Sequence, residues 1–169
     1  KLEIKKVLTA FGKDVVEQAK KNIRTSKISS KGHLYNGMKY KSSVNGSSVQ
    51  VAITIADYWE FMDYGVEGVG GTKADGTNWV KKKVTNNKFK YRKKTPPPSV
   101  FSKITSDRGG QFAIAKSVFH TGLKTTSFFT DPFDAEVEEL EAKLIQASLD
   151  GIEKGLTQTV INNNNITIN

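Results

Sequence analysis

Apolar residues in the first part of the chain recur three and four apart: Leu8, Phe11, Val15, Ala19 and Ile23, with Ile4, Val7 and Val16 beside them. That spacing is one face of a helix, and Lys5, Lys6, Lys13, Glu17, Lys20 and Lys21 fall on the other side. The pattern ends at Thr25, and Ser26 to Gly32 has loop composition. The period then changes to two. Val49, Val51, Ile53 and Ile55 alternate with Ser48, Gln50, Ala52 and Thr54, which predicts a strand with one buried face. Gly37 to Val44 alternates more loosely ahead of it, and Asn45-Gly46 is a strong hairpin-turn signal, so an antiparallel hairpin is expected over about 37–55.

Beyond the hairpin the elements shorten. Asp57 to Gly65 reads as an aromatic helical turn closed by a left-handed glycine cap. A Gly-rich loop follows, and Pro96-Pro97-Pro98 makes an extended stop before a short helix at Val100 to Ile104. Gln111 to His120 predicts a helix with the stripe Phe112, Ala115, Val118 and Phe119, capped by Gly122. Asp134 is expected to cap a last long helix to about Leu156, with Glu136, Glu138 and Glu139 suiting its positive end. Val137, Leu140, Leu144, Ile152 and Leu156 mark its expected buried side. The tail, 157–169, has β-branched residues around an Asn run and is read as a C-terminal strand or an arm. The fold class is therefore α+β, one domain over 1–169. A small antiparallel sheet packs against an N-terminal and a long C-terminal helix, with a long Gly/Lys-rich insertion at 66–110.

Charge sharpens that division. Lys and Arg outnumber Asp and Glu by 26 to 17, a net +9. Nine bases lie between Gly76 and Ser106 with no acid among them: Lys81, Lys82, Lys83, Lys88, Lys90, Arg92, Lys93, Lys94 and Lys103. The rest of the chain is neutral. Such a block repels itself and lies at a surface or against a polyanion. It offers few apolar side chains against an ordering cost of roughly 1–2 kcal/mol per residue. It is therefore expected to leave the core and order against neighbours. Cysteine is absent, which excludes disulfides, thiolate metal sites and thiol nucleophiles. No apolar run approaches a membrane span.

Candidate chemistry is sparse. His33 and His120 sit in no catalytic signature and read as surface or capping residues rather than general bases. Asp57, Glu60, Asp63 and Glu67 form one acidic stripe, better suited to solvent or a subunit contact than to a metal, which needs ligands from a second element. Gly71-Thr72-Lys73 reverses the order a phosphate loop requires. No catalytic, cofactor or metal residue is expected, and the chain is not read as an enzyme. Only the basic segment carries a functional reading from its residues. Trp79, Phe89 and Tyr91 interleave with its lysines, as in grooves that join phosphate contacts to base stacking. A solvated insertion or a protein contact stays open beside a non-catalytic nucleic-acid-binding module acting through 80–95. Lysine predominates over arginine there, favouring diffuse phosphate attraction over base reading.

The order of parts resembles the tail-completion or head–tail joining (neck) proteins of tailed bacteriophages. An amphipathic helix leads to Gly32-His33-Leu34 and a strand entered by Asn36 to Ser42. A hairpin then leads to Tyr58-Trp59-Glu60-Phe61-Met62-Asp63-Tyr64-Gly65, and Phe128-Phe129-Thr130-Asp131-Pro132-Phe133 introduces a final helix. Those proteins commonly carry an Asp-Thr-Gly-x-Leu-like loop, a Tyr-x-x-Phe-Val-Glu-x-Gly-Thr-like turn and a Pro-aromatic element before a C-terminal helix. Ser30-Lys31 stands here where Asp-Thr is usual, Gly65-Val66 replaces Gly-Thr, and 66–110 is longer than the common connection. The resemblance implies a structural virion protein of the neck or tail, made in the host cytoplasm. Its copies would form a ring, six-fold with twelve-fold as the competing number, meeting portal or adaptor proteins and tail-tube proteins while DNA passes through. Subunit contacts would fall on Tyr58, Trp59, Phe61, Asp63 and Gly65 and on Phe128, Phe129 and Phe133. Lys81, Lys82, Lys83, Lys88, Lys90, Arg92, Lys93 and Lys94 would face DNA or a partner.

Overall fold

A computed structural model describes residues 2–26, 32–85, 88–102 and 104–164, with side chains placed as far as 158. The chain is α+β and divides into two compact units, Lys1–Ala56 with Phe128–Asn169, and Asp57–Ser127. The segment 66–110, set apart in the sequence by its composition, lies within the second unit together with the aromatic turn before it and the helix after it.

The first unit is built on helix α1, Leu2–Thr25. Its 3,4 stripe buries Phe11, Val15, Val16, Ala19 and Ile23, as the spacing requires. A helical turn α2, His33–Gly37, stands where the sequence suggested only a loop; its buried Leu34 anchors it. Arg24 donates to the Tyr35 hydroxyl, and Lys20 lies over the Tyr35 ring at 5.3 Å. Strands β1, Lys39–Asn45, and β2, Ser48–Thr54, form the expected hairpin. Asn45 pairs with Ser48, so the loop is Gly46-Ser47, one residue past the Asn-Gly signal. Val49, Val51, Ile53 and Ile55 share the half-buried face. The hairpin reaches α1 at Gly12, where an added Cβ would lie 2.7 Å from Val51 Cγ2. Thr9 Oγ1 donates to Ser42 Oγ at 2.7 Å across the same junction.

Helix α5, Thr130–Asn164, is 35 residues long and packs on α1. Phe133 meets Phe11 edge-on at 5.8 Å, and Lys154 pairs with Glu3 at 3.0 Å, so the helices run antiparallel. Three expectations are corrected here. The helix begins at Thr130, so Asp134 lies inside it rather than capping it. Val137, Ile152 and Leu156, expected to be buried, are 42%, 61% and 64% exposed. The face toward α1 instead uses Phe133 and Ala147, because one narrow partner helix covers only one side. Finally, 157–164 is helical rather than a strand; the Ile166–Ile168 part of that reading lies outside the described residues.

The second unit has little regular structure. Helix α3, Trp59–Tyr64, ends at Gly65 with φ +77°, matching the predicted cap. Strand β3, Val66–Glu67, pairs antiparallel with β4, Gly122–Leu123. Helix α4, Arg108–Thr121, is capped by the Asp107 carboxylate, which accepts from the Gly110 N–H. Gly122 N–H donates to Val118 O at its other end, as the sequence implied. Within α4, Ala115 and Val118 are buried, but Phe112 is 54% exposed, contrary to its place in the expected stripe. Pro98–Phe101 is a single 3-10 turn, earlier than the helix expected at Val100 to Ile104.

Candidate functional site

The basic segment is stitched to the second unit by backbone hydrogen bonds, alongside ring contacts of its aromatic residues. Tyr91 N–H donates to Glu67 O, Glu67 N–H to Phe89 O, and Lys82 N–H to Thr121 O, at 2.7–2.9 Å. Gly68 and Gly122 make this possible. A Cβ on Gly68 would meet His120 O at 2.3 Å, and one on Gly122, at φ +82°, would meet Val66 O at 2.3 Å. The two backbones cross with no room for side chains.

His120 serves that crossing. Its Nδ1 lies 2.6 Å from Gly70 O, and Trp79 stacks flat on the imidazole at 5.1 Å with Phe119 edge-on at 5.2 Å. Among the described residues no acid or hydroxyl partner completes a proton relay there. His33 is exposed in α2. The acidic stripe also separates. Glu60 pairs with Lys88 at 3.0 Å, while Glu67 binds Lys81 and Lys90, each at 3.1 Å. Those two lysines, Lys90 foremost, hold the Glu67 carboxyl below the usual range through their hydrogen bonds. Asp63 is buried beneath Thr126 and Ser127, whose N–H groups both donate to its backbone oxygen at 3.0 Å. Among the described residues no three His, Asp or Glu side chains are grouped to hold a metal ion.

These pairings divide the eight basic candidates. Lys81, Lys88 and Lys90 are spent on Glu67 and Glu60. Lys82, Lys83, Arg92, Lys93 and Lys94 are exposed and have no acidic partner among the described residues. The interleaved aromatics face inward. Phe89 packs on Phe61 at 4.6 Å, Tyr91 on Phe119 at 5.8 Å, and Trp79 on His120. Their faces are engaged inside the unit, which removes the stacking platform that a single-strand groove needs.

The remaining candidates are of two kinds. Tyr58 and Phe61 are each 44% exposed, and Trp59 is half-buried, tilted against Tyr64. Asp63 and Gly65 are buried in the second unit. Phe128 is fully buried in the first unit, where Phe129 and Phe133 stack at 5.6 Å. Phe128 belongs to the core, while Phe129 and Phe133 are half-buried.

One surface was missed in the sequence. Along α5, Val137, Leu144, Ile145 and Leu149 border an open groove of about 570 Å³. The signal was present: α5 carries more apolar positions than one stripe can hold, and the surplus forms a second face. Comparison with protein-family models, curated proteins and solved structures finds no match. Among the described residues no helix is long and apolar enough to cross a membrane.

Proposed function

We propose that this chain is a structural protein of the neck or tail of a tailed phage, without catalytic activity. It assembles as a closed ring that joins head to tail and lets DNA pass. One observation carries the reading: the fold leaves two kinds of surface unspent, an apolar face on α5 and, on the second unit, five of the basic candidates with no acidic partner among the described residues. A monomeric protein seldom exposes contiguous apolar surface without a partner for it. Closed rings are made by heterologous contacts between unlike patches of one chain, and this chain has unlike patches. The order of helix, hairpin, aromatic turn and long final helix adds the resemblance to neck proteins. Portal, adaptor and tail-tube proteins are the expected neighbours.

The test is native mass measurement on the purified chain and on intact particles. Six copies are expected, with twelve the competing number that matches a portal; a chain that stays monomeric in both samples overturns the reading. Those five basic candidates keep a second reading in view, a non-catalytic nucleic-acid-binding surface. It predicts DNA affinity that falls steeply with salt, with a log–log slope of roughly −4 to −5 for five engaged phosphates. A flat salt response removes it.

A further inference from the structure

The two unspent surfaces of this chain are complementary. The exposed apolar face of α5 is bordered by Asp134, Glu138 and Glu141, and none of the three has an ion pair among the described residues. Only two bases lie on α5, and both are engaged elsewhere. Lys143 binds Glu136 and Glu139, and Lys154 binds Glu3. Among the described residues, the unpaired charges that α5 itself places beside the apolar groove are therefore all acidic. On the second unit the arrangement is inverted. Val80 is 81% exposed and sits directly before Lys81, Lys82 and Lys83, of which the latter two are unpaired. It is an apolar knob beside cations.

We infer that α5 of one copy takes the Val80 knob and its flanking cations from a second copy, in a head-to-tail contact. Val80 enters the groove beside Ile145 and Leu149, while Lys82 and Lys83 face Glu138 and Glu141. Charge selects this pairing over a two-fold contact between α5 helices. Two copies of the acidic half of α5 repel each other in parallel, and in antiparallel register that half meets one that offers only Lys154 beside Asp150 and Glu153. Opposite charges also steer the encounter and suppress the wrong register. This inference rests on the ring reading and names the contact that would build it.

The chain has no cysteine, so pairs of introduced thiols report the contact without background. The full-length double variant Val80→Cys/Ile145→Cys, oxidised with diamide, should give a covalent ladder of trimers and larger species. Each single variant should give no ladder. In parallel, Glu138→Lys/Glu141→Lys and Lys82→Glu/Lys83→Glu should each weaken self-association at least tenfold. An equal mixture of these two variants should regain it, because each supplies the face the other has lost. That recovery also excludes misfolding as the cause of the loss. A ladder that stops at six or twelve supports both contact and ring, and an unending ladder keeps the contact but overturns the ring. If the wild type forms a closed ring while the double variant gives no ladder, the contact is overturned and the ring stands. Dimers from Ile145→Cys alone overturn it in favour of paired α5 helices. A monomer that gives no ladder and captures duplex DNA overturns it in favour of a nucleic-acid surface.

Discussion

The two units hold their chains by different means. In the first, α1 spends one continuous stripe on the interior, with Val15, Ala19 and Ile23 wholly buried and Phe128 closing the end. Each large apolar side chain so buried contributes about 1.5–3 kcal/mol relative to exposure. In the second, Val66, Ala115 and Val118 are the buried apolar side chains among the described residues, and order comes from backbone pairs, the His120 clamp and the three lysines on Glu60 and Glu67. A net hydrogen bond is worth only about 0.5–1.5 kcal/mol. The second unit therefore depends on many weak, directional contacts, and its surface is freer to serve a partner.

The sharpest way to break this contrast is to truncate a core residue of the first unit. Phe128→Ala should cost about 3–5 kcal/mol in chemical denaturation, since the cavity cannot collapse around a fully buried site. A cost below 1 kcal/mol would mean that the helices do not depend on that core. Next in size is Gly68→Ala. Its Cβ would press on a backbone oxygen, which cannot rotate away, so a loss of about 1–3 kcal/mol is expected. An unchanged midpoint would show that the β3–β4 crossing is looser than described.

His120→Ala should cost about 1–2 kcal/mol, by removing the bond to Gly70 and the face under Trp79. Amide exchange sharpens the comparison further, because Val69, Gly70 and Lys82 should lose protection while the amides of α1 keep theirs. Equal loss in both units would contradict the division. The smallest effect concerns acid. Lys90 and Lys81 hold the Glu67 carboxyl below its ordinary value near 4.5. Its stabilising contribution is thus full above that value and fades as pH falls through the lowered one. Glu67→Gln should flatten the acid limb of the stability profile at low salt, and added salt should shrink the difference in the wild type. A limb of unchanged slope would show that these pairs are spent in solvent.

The same contrast governs what could be read from the sequence. Period and burial coincide in α1 and β2, so Phe11, Val15, Ile23, Val51 and Ile53 announced their faces. Gly65 and Gly122 announced helix ends because only glycine suits those backbones. The long final helix was legible but its inward side was not. Val137, Ile152 and Leu156 satisfy a helical stripe as well as Phe133 and Ala147 do, and only the position of α1 decides between them. In the second unit, order comes from pairings distant in sequence, such as Lys82 with Thr121 and Tyr91 with Glu67. Composition carries no trace of these. The basic candidates stand out as a group in the sequence. Their sorting into Lys81, Lys88 and Lys90, which hold the unit together, and Lys82, Lys83 and Arg92–Lys94, which remain outward, needed the acids placed beside them.

The crossing at Gly68 and Gly122 has a consequence for how this protein can change over generations. Any single-nucleotide missense change in a glycine codon adds at least a Cβ, and at these two positions that carbon lands on backbone. Lys93 or Ser99, both in exposed chain, can drift freely by comparison. Diverged relatives should keep these two glycines after the lysines between them have turned over. The pair, set between a short aromatic helix and a long final one, would be a more durable signature of kinship than the charge that first draws the eye.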